Sequence, residues 1–437
     1  MEPRDLTLDP TVRTTQDLIR FDTTNWGRGR SNGEREAAEY LEARLRAMDL
    51  DVAVFESEPR RTSLVTRIPG RDATKPALVV HGHTDVVPAE ARDWSVDPFA
   101  GEIRDGCLWG RGAVDMKNMD AMILTALEQL HAAGEQPGRD LVVAFFADEE
   151  DGGRLGSQYA VREHPELFAG ATEAVSEVGG YSITVGGRRA YLVQTGEKAM
   201  IWMRLRARRQ AGHGSKLVAP EDNAITVLAR AIVALSEHEW PLRLTGTTTE
   251  MISALCAVSG STPAEISPDE LALRCGSAAA WLTASLRTTS NPTMLEAGYK
   301  HNVIPEEAHV AIDVRPLPGT EQATLEEIQR IVGDDVEIIV DWQDIGAEAP
   351  ASGPLMDAAL ATLDRHDPGA IVVPYLLPAG TDNKALAQLG IHGYGFAPLR
   401  LPEELDFPAM FHGVDERVPL ESIVFGREVL ADFLRAY

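Results

Sequence analysis

Apolar and polar positions along the chain switch between two periods. Residues 34–48 (EREAAEYLEARLRAM) carry apolar side chains at helical spacing with charges between them, which predicts a helix capped by Asn32 or Gly33. Strands are expected at 51–56 and 63–68. PALVV (76–80) and LVVAFFA (141–147) are short unbroken apolar runs, as expected of strands buried on both faces. The first runs straight into HGHTD and the second into DEED. Between them, 117–133 reads as a helix and 134–139 as a Gly/Pro turn. Helices alternating with buried strands predict an α/β fold on a largely parallel sheet. Ligands of such sheets bind beyond the C-terminal ends of the strands, where both polar clusters fall.

From about residue 198 the texture changes. AMIWMRLRAR (199–208) alternates like a strand with one solvated face, and NAITVLARAIVALS (223–236) is an amphipathic helix. The Thr/Ser/Ala-rich stretch 245–291 has no clear period. A strand at 309–318, a helix at 322–332 and a strand at 336–342 follow, then α/β texture returns with a helix at 354–364, a strand at 371–375 and a last helix at 421–435. The expected organisation is a discontinuous α/β domain, 1–197 and 345–437, split by an inserted α+β module, 198–344. The length of 437 residues agrees, because single cores stop growing at roughly 250–300 residues.

The formal charge of −26 argues against nucleic acid or an anionic membrane as the main partner, since both need a basic face. Three cysteines, Cys107, Cys256 and Cys275, form no disulfide framework and no metal spacing. The N-terminus MEPRDLTLDP has neither a basic nor an apolar leader region, and no apolar run approaches the ~20 residues of a membrane helix. A cytoplasmic protein is expected.

Chemistry concentrates in a few places. His83 and Asp85 follow the first buried strand, and Glu149 and Glu150 follow the second. Asp115 lies in GRGAVDMK, Glu177 in SEVGG and His412 in FHGVDER. Two histidines with three or more carboxylates suit Zn²⁺, Co²⁺ or Mn²⁺ better than Ca²⁺ or Mg²⁺. A carboxylate-rich mixture fits two metal ions sharing a bridging carboxylate. If Glu149 and Glu150 sit at a strand end, their side chains point opposite ways, so one can ligate while the other faces substrate. Asp85 can orient the His83 imidazole. Each element also has a plainer reading: H-x-D is commonly incidental, and Asp115 could cap helix 117–133. His213 could be a turn residue and Arg315 a surface cation. His81, His131, His164, His238, His366 and His392 read as surface or satisfied core.

Taken together, H-G-H-T-D-V-V-P, W-x-x-D-P-F-x-G, G-R-G-x-x-D-M-K, D-E-E, G-H-G-S, N-V-I-P, D-V-R-P, G-T-D and H-G-x-D-E occur in an order that resembles the co-catalytic zinc amidohydrolases. These include aminoacylase, carboxypeptidase G, carboxypeptidase S and succinyl-diaminopimelate desuccinylase, and the resemblance runs from about residue 12 to 435. It implies a zinc-peptidase-like catalytic domain with an inserted lid and dimerisation domain. It implies that Asp115 bridges two zinc ions, with His83 and Glu177 on one, and Glu150 and His412 on the other. Glu149 would be general base and acid, with Asp85 behind His83. His213 would stabilise the oxyanion in the partner subunit's site, with Asn302 also facing substrate. Arg315 would grip the substrate carboxylate beside a loop at Gly380 and Thr381. Three features depart from the family pattern: Asn118-Met119 stand where glycines are usual, Asn383-Lys384 follow G-T-D, and Glu177 replaces an Asp. The long 245–291 stretch would enlarge the lid. The implied activity is hydrolysis of an amide bond next to a free carboxylate in a small peptide or N-acyl amino acid. The rivals are an aminopeptidase or dipeptidase recognising a free amine, and a catalytically silent metal-binding scaffold.

Overall fold

The strands of two main sheets carry the computed structural model, which describes residues 5–437. In chain order they are β1 (Val52–Glu56), β2 (Thr62–Ile68), β3 (Ala77–His83), β4 (Leu141–Phe146), β5 (Ala171–Ser176), β6 (Tyr181–Val185), β7 (Arg188–Glu197), β8 (Ile201–Arg208), β9 (Thr289–Ala297), β10 (Glu307–Arg315), β11 (Val336–Gln343), β12 (Ala347–Glu348), β13 (Val372–Leu377) and β14 (His392–Gly395). Ten of them form one sheet in the order β6-β7-β14-β5-β3-β4-β2-β1, with β12 and β13 also paired to β7. The central pairs β3·β4, β3·β5 and β5·β14 are parallel, as is β7·β13. β1·β2, β2·β4 and β6·β7 are antiparallel, so the sheet is mixed with a parallel centre.

Sequence explains why β3 and β4 lie at that centre. Every residue of both strands is buried, and unbroken Val/Leu/Phe runs fit only where both faces are covered. The principal helices are α1 (Pro10–Arg20), α2 (Arg35–Arg46), α3 (Lys117–Ala132), α4 (Ala224–Ser236), α5 (Gly246–Ser259), α6 (Pro268–Leu273), α7 (Ala279–Ala284), α8 (Glu321–Val332), α9 (Pro354–His366) and α10 (Leu420–Ala436). α1, α3 and α10 pack together over one face of the large sheet. On the other face, Val79, Val142, Ala144 and Phe146 meet Val161, Phe168 and Leu386. Among the described residues, no helix is long and apolar enough to cross a membrane.

The start of α2 differs from expectation. Neither Asn32 nor Gly33 caps it; Glu34 holds the cap position without a side-chain cap bond. Gly33 is instead needed for a chain crossing. It sits at φ +84, and the Arg60 Cβ passes 2.5 Å from where a Gly33 Cβ would stand. Glu34 turns inward to pair with Arg61 at 3.1 Å.

The second sheet is antiparallel, in the order β9-β10-β8-β11. Ile201, Met203, Leu205 and Ala207 alternate inward along β8 and pack with α4 and α8. Asn223 caps α4, accepting from the Ile225 and Thr226 amides.

Residues 246–284 do not join this smaller sheet. α5 lies against β13 and β7, and Met251, Leu255, Cys256, Leu271 and Leu282 belong to the core of the large sheet. The sequence placed this stretch in the inserted lid because it lies between lid strands in the chain. Its apolar face is nevertheless satisfied by the large sheet. Leu255→Ala removes a fully buried side chain from that contact. It is expected to destabilise the protein by about 2–5 kcal/mol. In chemical denaturation, the loss should appear in the transition reported by the large-sheet core.

Candidate metal centre

Three strand ends of the large sheet converge. β3 ends on His83, and Asp85 follows two residues later. β5 leads into Glu177. After β4 the chain turns through Asp148, at φ +66, into a one-turn 3₁₀ segment, Glu149–Asp151. Glu149 and Glu150 are thus on a helical turn, not at a strand end, so strand alternation is not what separates their side chains. Asp115 stands just before α3, whose cap position belongs to Met116, so Asp115 is not the cap. His412 comes from the loop before α10, at φ +57.

The side chains meet. His83 Nε2 lies 3.0 Å from Asp115 Oδ1, 3.6 Å from Glu177 Oε1 and 4.0 Å from Glu149 Oε2. His412 Nε2 lies 3.3 Å from Asp115 Oδ2 and 3.1 Å from Glu150 Oε2. Asp115 therefore stands between the two imidazoles. Ligand atoms of His83, Glu149 and Glu177, and those of His83, Asp115 and Glu150, lie within 4.8 Å of one another.

Asp85 has a wider role than sequence suggested. The shorter contact to His83 Nδ1 is the Asp85 backbone oxygen, at 3.0 Å, with the carboxylate at 3.5 Å. The carboxylate accepts the Glu149 and Glu150 amides at 3.0 and 3.2 Å, so one aspartate ties the imidazole to the turn carrying both glutamates. Asn25 bridges Asp85 and Asp148 at 2.9 and 3.1 Å, and Arg61 pairs with both Asp148 and Glu34. On the other side, Glu416 accepts the amides of Gly112, Val114 and Asp115 and pairs with Arg111 at 2.8 Å, fixing the loop that presents Asp115. Glu416 and Asp148 lay inside the recognised motifs. Asn25, Arg61 and Asp120 carried no motif. The one signal for Asp120 was a charge on a helix that is otherwise apolar there. Its Oδ1 lies 2.1 Å from where a Gly82 Cβ would stand, which is why glycine separates His81 from His83.

Burial and crowding set the electrostatics. Burial and the Asp115 charge push Glu177 up to about 8. Burial, against the pull of His83 and with the charges of Glu177, Asp382 and Glu150, raises Glu149 well above its usual value. Burial alone would lower His412, but hydrogen bonds to Asp115 and Glu150 raise it to about 11. The same competition raises His83, through Glu177, Asp115 and Asp85. The cluster holds protons that its carboxylates would surrender to metal cations.

Beside the cluster is a cavity of about 430 Å³ lined by Glu149, Glu150, His412, Arg315, Gly380 and Thr381. Lys384 lines it too, with its ammonium 2.6 Å from Asp344. That ammonium lies 2.5 Å from where a Gly380 Cβ would stand, so glycine clears its path. Asn383 instead faces inward onto His81, at 2.9 Å, satisfying a histidine expected to be core. Arg315 is steadied by Asp313 at 2.7 Å. His213 and Asn302 are not in this cavity. They sit exposed on a two-stranded ribbon, Gly212–His213 with Val303–Ile304, and His213 Nδ1 faces the Ser215 hydroxyl at 2.8 Å.

An imidazole-and-carboxylate cluster at the strand ends of an α/β sheet, opening on a cavity with a lysine and an arginine, has the make-up of a metallohydrolase centre. Residues 79–436 match the model of Peptidase family M20/M25/M40, and the chain belongs to that family. It is 30% identical to a probable carboxypeptidase S-like 2 of Dictyostelium discoideum, over 82% of this chain and 71% of that protein. It is 26% identical to aminoacylase-1 of Sus scrofa, over 92% and 89%. It is 29% identical to the N-fatty-acyl-amino acid synthase/hydrolase PM20D1 of Xenopus tropicalis, over 97% and 84%. Its fold matches the M20 metallo-carboxypeptidase Sso-CP2 of Sulfolobus solfataricus, with a TM-score of 0.74, 17% identity and coverage of 98% and 99%. The chain is a metallohydrolase acting on amide bonds.

The buried Glu34 gives a pH signature. Burial, and beyond it the Asp85 charge, raises it from 4.5 to about 9. Its contribution to stability is full below the unfolded value and is lost as pH rises through the folded one. Metal-free protein should lose stability between roughly pH 5 and 9. Urea titrations across that range should show Glu34→Gln flattening the decline.

Proposed function

We propose that the protein hydrolyses an amide bond adjacent to a free carboxylate, in an N-acyl amino acid or small peptide. One observation carries this reading: Arg315 and Lys384 line the same cavity as Glu149, Glu150 and His412. An arginine fork suits a carboxylate bidentately, and the lysine adds a second positive charge. The names of the aminoacylase, carboxypeptidase S-like and N-acyl-amino acid hydrolase relatives point the same way.

The donor set fits a pair of divalent cations, because two imidazoles and several oxygens cluster around Asp115 with few balancing charges. His83, Asp115 and Glu177 would hold one ion. Asp115, Glu150 and His412 would hold the other. Zinc, cobalt and manganese all suit these donors. When bound, the ions supply a Lewis acid for the carbonyl and an acidified water. Glu149 then takes the proton of the attacking water and returns it to the leaving amine. Asp85 keeps Glu149 in place through the backbone. Arg315 holds the substrate carboxylate so that its amide lies beside Glu149. His213 and Asn302 would complete the site from a second copy, with the β9-β10-β8-β11 sheet and helices α4 and α8 forming lid and dimer contact.

Glu149→Gln should lower kcat by roughly 10²–10⁴-fold while metal analysis still finds two ions per chain. Undiminished hydrolysis would sink the assignment of the base. Arg315→Ala should raise KM for N-acyl amino acids about 10-fold or more, the weight of a charge-assisted bond. A matched panel of N-acyl amino acids and unblocked dipeptides separates this reading from an aminopeptidase. If only substrates with a free amine are cleaved, the carboxylate reading is wrong.

A further inference from the structure

A second, larger cavity opens on the far side of Glu150. Its volume is about 900 Å³. Glu150, Trp202 and Trp342 line both cavities. Trp202 on β8 and Trp342 on β11 are cross-strand partners whose ring centroids lie 5.4 Å apart, so this indole pair is the wall between them. Two compartments thus meet beside the candidate metal ligands, one on each side of an aromatic partition.

Their chemistry differs. The smaller compartment holds Arg315 and Lys384, both largely buried and paired with Asp313 and Asp344, so burial rather than pairing sets them apart. Three exposed arginines border the larger one: Arg28, and Arg154 and Arg204, which face Asp151 and Asp341 at 3.8 and 2.6 Å. The larger compartment is also rimmed by Trp26, Pro88 and Met294. Trp26 and Met294 are 43% and 53% exposed. Trp202 departs from the pattern of its own strand. It lies on the face of β8 that otherwise carries Arg204, Arg206 and Arg208, where folding alone favours a solvated side chain. Apolar and aromatic groups left open around a cavity that begins at a reacting centre mark a binding surface.

We propose that the larger cavity is the subsite for the acyl half of the substrate, and that it selects a bulky aromatic acyl group. This rests on the reading above, which places the carboxylate half in the smaller compartment. The amide then lies at Glu149 and Glu150, and the acyl group extends past the partition toward Trp26 and Met294. Indole faces at Trp26, Trp202 and Trp342 stack on an aromatic ring, which an acetyl group cannot exploit. A space of about 900 Å³ is far more than an acetyl group fills.

The test compares N-acetyl and N-phenylacetyl derivatives of one amino acid on the metal-loaded protein. The phenylacetyl compound should have a kcat/KM at least about tenfold higher, expressed mainly in KM. Trp26→Ala and Met294→Ala should each cut that ratio several-fold. A direct binding readout comes from tryptophan fluorescence, because three of the seven tryptophans line the cavity. Titrating the phenylacetyl compound into Glu149→Gln protein should quench the emission, and Trp26→Ala should weaken the change. If both substrates are cleaved equally and neither substitution shifts the ratio, the acyl-subsite proposal is overturned while the hydrolase reading stands. If neither substrate is cleaved, the reading of an amide next to a free carboxylate fails and takes the subsite with it.

Discussion

Carboxylates do not share a buried space without help. At the ends of β3, β4 and β5 this chain brings Asp115, Glu149, Glu150 and Glu177 within reach of two imidazoles, with Asp85, Asp120, Asp148 and Asp382 buried close behind. Water cannot screen them there, so each negative charge raises the proton affinity of its neighbours. Burial pushes Glu177 and Glu149 upward and charged neighbours push them further, while hydrogen bonds and charges from the same acids raise both histidines. A site built this way is costly for a protein unless cations occupy it. That constraint explains why so much of the surrounding sequence holds these groups still.

The supports are specific. Asp85 takes two amides of the 149–150 turn and the back of His83. Glu416 takes three amides of the 112–115 loop. Asn25, Arg61 and Glu34 form a further layer behind Asp85 and Asp148. None of these groups adds a donor to the cluster at its centre. They fix the carboxylates in positions from which thermal motion and mutual repulsion would otherwise move them. The antiparallel sheet β9-β10-β8-β11 supplies the other half of the cleft, bringing Arg315 and the Trp202–Trp342 pair over the strand ends.

Much of this was legible in the chain. Unbroken apolar runs ending in HGHTD and DEED placed β3 and β4 at the sheet centre and their polar successors at its functional edge. The alternation of 199–208 foretold a half-solvated strand, and β8 has it. What pattern could not supply was partnership across long separations. Residues 246–284 lie in the chain between strands of the smaller sheet but pack on β13 and β7, so their attachment to the large sheet was invisible. The 3₁₀ turn at 149–151 was read as a strand end, since nothing in DEED announces the left-handed Asp148 that makes the turn. Asn25 and Arg61 act through contacts some 60 to 120 residues away, and single residue types at such distances leave no local trace. His213 and Asn302 lie outside the cavity, exposed at a two-stranded ribbon whose place no local pattern announced.

The central claim is that the crowded acids hold protons which divalent cations displace. Calorimetric titration of Zn²⁺ into chelator-stripped protein near neutral pH tests it directly, run in two buffers of different ionisation enthalpy. The account predicts two ions bound per chain, with a net release of protons that makes the apparent enthalpy depend on the buffer. Binding of fewer than two ions, or an enthalpy that is the same in both buffers, would contradict it.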